Sequence, residues 1–487
     1  MPRLRALALA LTLPVVAATL TAAPVQATDR PEPDSPAYVA RDLRNIADAY
    51  GRVTGPGGQL ANPNYLPALI RQSTLLTAQQ LLAQAATPTR PALNAGALVP
   101  GWNVGNPLRA GWNGTRGRSE QVSFVNRYGA LLRGTVHAPL PGARDPYTGQ
   151  RLAGRFPGVV ITPGSVQGSE GMYVWLAQDL AERGYVVMTF DVQGEGTSET
   201  LPHTNGGAFP FCNPFAAPVD GNVLGCPGVP FQQLANFTTG TSDALDFFLS
   251  SANPYAALVD RSPDPAPATP GRTTRIAVVG HSMGAFAVSQ LQATDGRIAT
   301  VVALDKLAGP SAEALPGAGS NAGNQPVAPA LAIQSEYGFT VAPAGLSGGS
   351  SLMPAPGHPD PMRERRTGFD DWRAAGVDAM LVVPRASTHL EYADIPLVLP
   401  ASRWGQAVTS TYVQAWLDRY LKHDVDDQRL LAATASYLEP RGRGVWAPVT
   451  LDRSGGLSFY YCSAYAFGSG GAVLADGDVA GVGGCDD

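Results

Sequence analysis

The sequence predicts an α/β fold with a mostly parallel sheet that is covered by helices on both faces. Residues 157–162 form a continuous apolar strand pattern, a helix pattern follows over Tyr173–Arg183, and a second strand pattern follows over Tyr185–Asp191. A strand that is apolar at every position is buried on both faces, as the strands of parallel sheets are. The same order recurs where the apolar run Ile276–Val279 precedes a small-residue helix pattern over Ala285–Ala293.

The first 27 residues have the features of a secretory signal peptide. Arg3 and Arg5 precede an apolar core over Ala6–Leu20, and Val25-Gln26-Ala27 is a small-x-small cleavage site. A retained membrane anchor is the alternative, but this apolar core is short for a membrane span. We therefore expect an exported, extracellular protein without a membrane anchor. The high Ala, Gly and Pro content is typical of proteins secreted by GC-rich bacteria.

Residues 28–117 are predicted to form a helical and loop-rich extension. Apolar residues recur at helical spacing over Tyr38–Tyr50 and Tyr65–Ala86, so we expect helices that pack on the main domain. A propeptide or a partner-binding arm is the alternative. From Arg118 onward the pattern changes to a hairpin, with strands predicted over Glu120–Val125 and Leu131–His137.

The predicted α/β domain spans residues 118–424 and contains a Pro-, Gly- and Phe-rich insertion at 199–233. A glycine-rich tail is predicted over 425–487. The later elements alternate in type as the fold class requires. They are a helix over Phe237–Leu249, strands over Ile298–Leu304 and Ala330–Gln334, a helix over Met362–Ala375, a last core strand over Ala379–Val383 and an amphipathic helix over Val408–Leu421.

The chain has four cysteines, in agreement with an oxidising compartment. We expect Cys212 to pair with Cys226 and Cys462 with Cys485, because each partner is the nearest in sequence; other pairings stay open. No C-x-x-C spacing or histidine cluster accompanies them, so we expect no metal site.

Ser282 is the candidate nucleophile. It lies in RIAVVGHSMG, where a strand pattern stops in Gly280-His281-Ser282-Met283-Gly284 and a helix pattern begins. A serine on so tight a turn has a strained backbone, and side chains at the two glycine positions would collide with neighbouring elements. Ser347 also fits G-x-S-x-G, but it lies in a Gly/Ser/Pro-rich loop with no strand before it.

A serine needs a base and an orienting carboxylate to become a nucleophile near neutral pH. Of the six histidines, His389 alone follows the last predicted core strand, whereas His281 is expected to point away from the serine. Asp305 and Glu336 each follow a predicted strand, so both are candidate carboxylates. The carboxyl ends of parallel strands gather along one edge, which brings these residues toward Ser282.

Two backbone amides are candidates for stabilising an oxyanion. The first is the amide of Met283, at the start of the helix after the serine, and the second is that of Ser165, in the turn after the strand GVVIT. An ordinary strand-to-helix turn at Ser165 is the alternative.

With these residues in place, the chain resembles the α/β-hydrolase superfamily from about Arg118 to Asp424. The segments that carry the resemblance are TPGSVQGSEGMYVWLAQDLAERGYVVMTFDVQGEGTS, GHSMG and AWLDRYLKHD. GHSMG and the TPGS turn are particularly similar to bacterial secreted cutinases, lipases and polyester hydrolases. The resemblance implies hydrolysis of small or polymeric esters through an acyl-enzyme, without a cofactor.

The sequence departs from the resembled enzymes at the acid. Alignment of PALAIQSEYG to their acid strand places Gly338 where an aspartate is expected. Glu336 lies two residues earlier, and the period of two of an extended chain would direct it to the same side. We therefore predict Glu336 as the acid, with Asp305 as the alternative. The N-terminal extension and the cysteine-bearing insertion are also extra to the compact cutinases.

The bulk properties exclude some partners. The net charge is −5 and no basic stripe with interleaved aromatics occurs, so nucleic acid is not an expected partner. We expect a monomer. Competing interpretations are an acyltransferase or a peptidase that uses the same residues, or a non-catalytic binding protein of the same fold.

Overall fold

The computed structural model describes twelve ranges of the chain. They are residues 32–86, 104–165, 168–199, 234–312, 321–338, 348–349, 354–355, 366–394, 402–424, 428–453, 455–469 and 472–478. The predicted signal peptide, the predicted Cys212–Cys226 pair, Cys485 and Ser347 lie outside the described residues.

Eight α-helices occur in the described ranges, and most agree with the sequence patterns to within a few residues. They are α1 (Pro36–Thr54), α2 (Tyr65–Ala86), α3 (Val174–Glu182), α4 (Leu234–Phe248), α5 (Met283–Thr294), α6 (Thr367–Ala374), α7 (Arg403–Lys422) and α8 (Gln428–Leu431).

Fourteen strands occur in the same ranges. They are β1 (Gly117–Val125), β2 (Leu131–Pro139), β3 (Gly158–Thr162), β4 (Val186–Phe190), β5 (Ile276–His281), β6 (Thr300–Leu304), β7 (Ala330–Ile333), β8 (Gly348–Gly349), β9 (Pro354–Ala355), β10 (Ala379–Val382), β11 (Thr434–Gly442), β12 (Val445–Asp452), β13 (Ala464–Ser469) and β14 (Ala472–Asp478).

Ten of these strands form one mixed sheet in the order β1-β2-β4-β3-β5-β6-β7-β10-β13-β14. The central strands from β4 to β10 run parallel, and the outer pairs are antiparallel. This confirms the predicted α/β class. The chain passes from β3 to β4 on one side and then returns to place β5 on the other side of β3. Strand order therefore reverses between β3 and β5, where open α/β sheets form a crevice at the strands' carboxyl ends.

The parallel strands separate two apolar cores. Val160 and Val278 face one core, with residues of α4, α5 and α6, whereas Val159 and Val279 face the other, with residues of α3 and α7. Adjacent strand residues point to opposite faces, and here both faces are covered, which explains why the strands are apolar throughout.

The N-terminal helix α1 packs on the α/β core, as expected for the extension. Tyr38 and Ala49 are buried in the same core as α4 to α6. Polar contacts fix its other positions: Asn45 Nδ2 donates to Glu336 Oε2 over 3.0 Å, and Arg385 pairs with Asp48 at 2.5 Å. The helix thus contacts the loops after β7 and β10.

The C-terminal part differs from the prediction in two ways. Residues after 424 were predicted to form a tail, yet β13 pairs with β10 and extends the main sheet, with β14 beyond it. Helix α7 is also more enclosed than an amphipathic helix, with all but three of its 20 residues buried. The reason is that β11 and β12 cover its outer side, where Ala407 packs with Tyr437 and Leu451. Cys462, just before β13, is disulfide-bonded.

The packing of α7 on the sheet can be tested at Trp416. This side chain is fully buried, and its Nε1 donates to Thr300 Oγ1 over 2.8 Å. Trp416→Ala should lower the free energy of unfolding by about 3–5 kcal/mol, since it opens a large cavity. Thr300→Val, which keeps Trp416 in place but removes its acceptor together with the hydrogen bond from Thr300 Oγ1 to Pro329 O, should cost about 1–3 kcal/mol. Urea unfolding followed by circular dichroism compares the two; equal losses would contradict the dominant role of packing.

Candidate active site

Ser282 lies on a strained turn between β5 and α5. Its backbone has φ 56° and ψ −120°, values that are unusual for a residue with a side chain. A Cβ at Gly280 would lie 2.1 Å from the Gly284 carbonyl oxygen, and one at Gly284 would lie 2.4 Å from that of Pro163. Both glycines are therefore required sterically, as the sequence predicted. Ser282 is partly exposed although the residues on both sides of it are buried.

The strand ends bring the candidate residues together. Residues His281 and Leu304 are opposite each other in the β5–β6 register, and Ser282 N donates to Leu304 O over 3.0 Å. Asp305 therefore follows β6 at the level where Ser282 follows β5. A Cβ at Gly164, in the turn after β3, would lie 3.0 Å from Ser282 Cβ. The serine thus lies at the reversal of strand order.

His389 pairs with Asp305. Its Nδ1 lies 2.7 Å from Asp305 Oδ2, and both side chains are buried, at 3% and 0% exposure. Ser335, at the end of β7, fixes the carboxylate: its amide donates to Oδ1 over 3.2 Å and its hydroxyl to Oδ2 over 2.6 Å. The backbone of His389 is held by Gly338, whose carbonyl accepts from the His389 amide over 2.9 Å. Asp305 has φ 47°, a second strained position at this edge.

Glu336 was predicted as the carboxylate partner of His389, but the structure pairs His389 with the alternative candidate, Asp305. Successive residues of an extended chain point to opposite sides, and Ser335 points toward Asp305. Glu336 consequently points away from His389, where its Oε2 accepts from Asn45 Nδ2 and from the Ala386 amide. At Gly338, where alignment with the resembled enzymes places an aspartate, only the backbone carbonyl contacts His389. The carboxylate that contacts His389 thus follows β6, the direct neighbour of the strand before Ser282.

The two amides predicted to serve an oxyanion flank the serine. Met283 begins α5, and Ser165 follows Gly164 in the turn packed on Ser282. Neither amide donates a hydrogen bond to another described group. The Ser165 hydroxyl lies 3.2 Å from Glu195 Oε1 and anchors the turn. The amide of Gly164 is in use, since it donates to the hydroxyl of Tyr173 over 3.0 Å.

The sequence patterns missed the contacts of Tyr173 and His281. The Tyr173 hydroxyl lies 2.7 Å from His281 Nδ1, and His281 Nε2 lies 2.9 Å from the carbonyl oxygen of His389. The two imidazole rings are 4.6 Å apart between centroids. Burial lowers the pKa of His281 to about 3. His281, expected to point away from the serine, contacts Tyr173 and His389 of the same site. Only the three-dimensional contact reveals this, because Tyr173 has no motif around it.

Two of the other histidines lie in the described ranges, and both are engaged elsewhere. His137 is buried beside Trp112, and burial lowers its pKa to about 3. His423 pairs with Asp264 at 2.6 Å beyond α7. His203 and His358 are outside the described residues. Across the described part of the chain, no group of three or more His, Cys, Asp or Glu residues is placed to hold a metal ion.

The fold and the site define a protein with an α/β sheet and a serine, histidine and aspartate at the carboxyl ends of its strands. No protein-family model matches the chain, and no curated protein sequence matches it significantly. Among the described helices, none combines the length and the apolar character needed to cross a membrane.

Glu336 should make stability depend on pH. Burial raises its pKa from 4.5 to about 7, so between these values the unfolded chain loses a proton that the folded protein retains. Stability is therefore highest below pH 4.5 with respect to this group and falls as the pH rises to 7, by up to about 3 kcal/mol. Glu336→Gln should remove this loss. Urea midpoints of both proteins at pH 5 and pH 8 measure it; parallel pH dependence would contradict the assignment.

Proposed function

We propose that this protein is a secreted serine ester hydrolase with an α/β-hydrolase fold. The observation that carries the proposal is the buried Asp305–His389 pair beside the strained turn at Ser282. The chain order serine, aspartate, histidine is the order expected for a catalytic triad on this fold. The reversal of strand order between β3 and β5 adds support, because open α/β sheets bind their ligands at such a point and Ser282 lies there.

Each triad residue has a chemical role that follows from its contacts. A carboxylate can only accept, so Asp305 keeps the proton of His389 on Nδ1 and leaves Nε2 as the base. His389 Nε2 takes the proton of Ser282 as the hydroxyl oxygen attacks the ester carbonyl carbon. The same proton passes to the alcohol that leaves. Water, activated in the same way, then releases the acid and restores the serine.

The tetrahedral intermediates carry a negative oxygen that needs donors. The amides of Met283 and Ser165 supply them in this proposal, since both flank Ser282 and neither is used by another described acceptor. Two fixed backbone donors require no reorganisation when the charge develops, which is the main advantage of such a site.

Export and substrate class rest on separate observations. A disulfide at Cys462 is in accord with an oxidising compartment and with the predicted signal peptide.

An acyltransferase or peptidase would use the same triad. A series of p-nitrophenyl esters of increasing acyl length, with a peptide anilide and an added alcohol acceptor, separates the three. We expect hydrolysis of the esters; turnover confined to the anilide or to alcohol transfer would contradict the proposal.

The nucleophile is tested by Ser282→Ala. This protein should fold like the parent and lose ester turnover, because the hydroxyl that forms the acyl-enzyme in this proposal is removed. In the parent, an organophosphonate should label Ser282, as identified by peptide mass spectrometry. Undiminished turnover in the alanine variant, or labelling of Ser347 instead, would exclude this triad.

The acid is tested by a matched pair of amide substitutions. Asp305→Asn should lower kcat by about 10⁴-fold, since the wrong tautomer of His389 is then favoured. Glu336→Gln should retain near-parent kcat, because this side chain faces α1 rather than His389. Both are measured on one short ester well below the unfolding temperature. The reverse ranking of the two variants would restore Glu336 as the acid.

A further inference from the structure

We propose that His281 and Tyr173 are positioning residues that join the two halves of the catalytic site through one directional hydrogen-bond chain. The hydrogen-bond chain begins at the amide of Gly164. This residue lies in the turn after β3 that also contains Ser165, here called the oxyanion turn. The chain then passes through the Tyr173 hydroxyl and the His281 imidazole, and ends at the His389 carbonyl. The catalytic meaning of this chain rests on the proposed function; its hydrogen-bond direction does not.

The two ends of the chain agree on its direction. The Gly164 N–H can only donate, so the Tyr173 oxygen accepts from it, and the hydroxyl hydrogen is available to donate to His281 Nδ1. The His389 carbonyl can only accept, so His281 Nε2 must carry a hydrogen. Both requirements are met by the same neutral tautomer, with the proton on Nε2. The distances of 3.0, 2.7 and 2.9 Å are those of ordinary hydrogen bonds.

The hydrogen bonds also make the two neighbouring imidazoles, those of His281 and His389, chemically different. His389 has a carboxylate that accepts a hydrogen bond from Nδ1 and leaves Nε2 without a hydrogen, whereas His281 has a hydroxyl that donates to its Nδ1. Burial and the nearby His389 both lower the pKa of His281. The proton of Ser282 therefore passes to His389 and not to the ring adjacent to the serine in sequence.

The groups joined by the hydrogen-bond chain are in close contact, so a displacement of one would displace the others. A Cβ at Gly164 would lie 3.1 Å from His281 Nδ1, so the oxyanion turn packs on the ring. The start of α3 also holds the segment after His389, through Trp175 Nε1 to the Tyr392 carbonyl at 3.3 Å. Loss of the chain would free the oxyanion turn and the base to shift separately, and a shift of about 1 Å can cost about 100-fold in rate.

The kinetic test uses Tyr173→Phe, which removes one oxygen atom, and His281→Phe, which removes both ring nitrogens. Each should lower kcat by about 100-fold with little change in KM, because the residues position reacting groups and do not bind substrate. Since both belong to one chain, the double variant should be no slower than the slower single variant. His281→Gln should recover part of the turnover, because its amide can still donate to the His389 carbonyl.

The matched control is His137→Phe. His137 is also a buried neutral histidine, but neither ring nitrogen has a hydrogen-bond partner among the described residues. This variant should retain parent kcat. Equal losses of kcat in His137→Phe and His281→Phe, or full additivity of the Tyr173 and His281 effects, would overturn the positioning role.

A second measurement tests the hydrogen-bond chain independently of enzymatic activity. Nitrogen NMR of the parent with ring-labelled histidine, assigned with His281→Gln, should show the His281 proton on Nε2, and Tyr173→Phe should shift the signal of Nδ1. A proton on Nδ1 would overturn the chain even if esters are hydrolysed. If the parent hydrolyses no ester but has the expected tautomer, the proposed function fails and the chain stands. If esters are hydrolysed and kcat is unchanged in Tyr173→Phe, the positioning role fails alone.

Discussion

The turn at Ser282 depends on the approach of three backbone segments with no side chains between them. Gly280 and Gly284 contact each other across the turn, Gly284 also contacts the end of β3, and Gly164 rests on the serine itself. Any Cβ at these positions would force the segments apart. This close packing sets the level of the serine relative to β3 and β6, and with it the distance to the oxyanion turn and to Asp305. The other contacts of the site depend on this close packing.

The carboxylates near the site are similar in burial and differ in what surrounds them. Asp305 accepts two hydrogen bonds from Ser335 and one from His389. Burial dominates at Glu336 and Glu391, and raises the pKa of each to about 7. Asp305 is thus the hydrogen-bond partner of His389, while the raised pKa values of the two glutamates favour their neutral forms. Environment, not residue type, assigns these roles.

Local signals were sufficient to predict most elements and two of the three residues that meet at the candidate site. Helix α2 has the bounds that its apolar spacing predicted, and Ser282 and His389 each follow a recognisable apolar strand. The acid was not predictable in the same way, because its choice depends on which strands are neighbours and on which way Ser335 points. The C-terminal strands were missed since glycine-rich segments have weak strand patterns, and they form only by pairing with β10.

The docking of α1 also has a consequence for the order in which the molecule folds. Asn45 and its partner Glu336 are 291 residues apart in the chain, and Asp42 contacts Tyr460 from 418 residues away. Such contacts cannot form until nearly the whole polypeptide has been synthesised and its sheet assembled. The helix that emerges early therefore completes its contacts with the loops near His389 only after the C-terminal part of the chain is present.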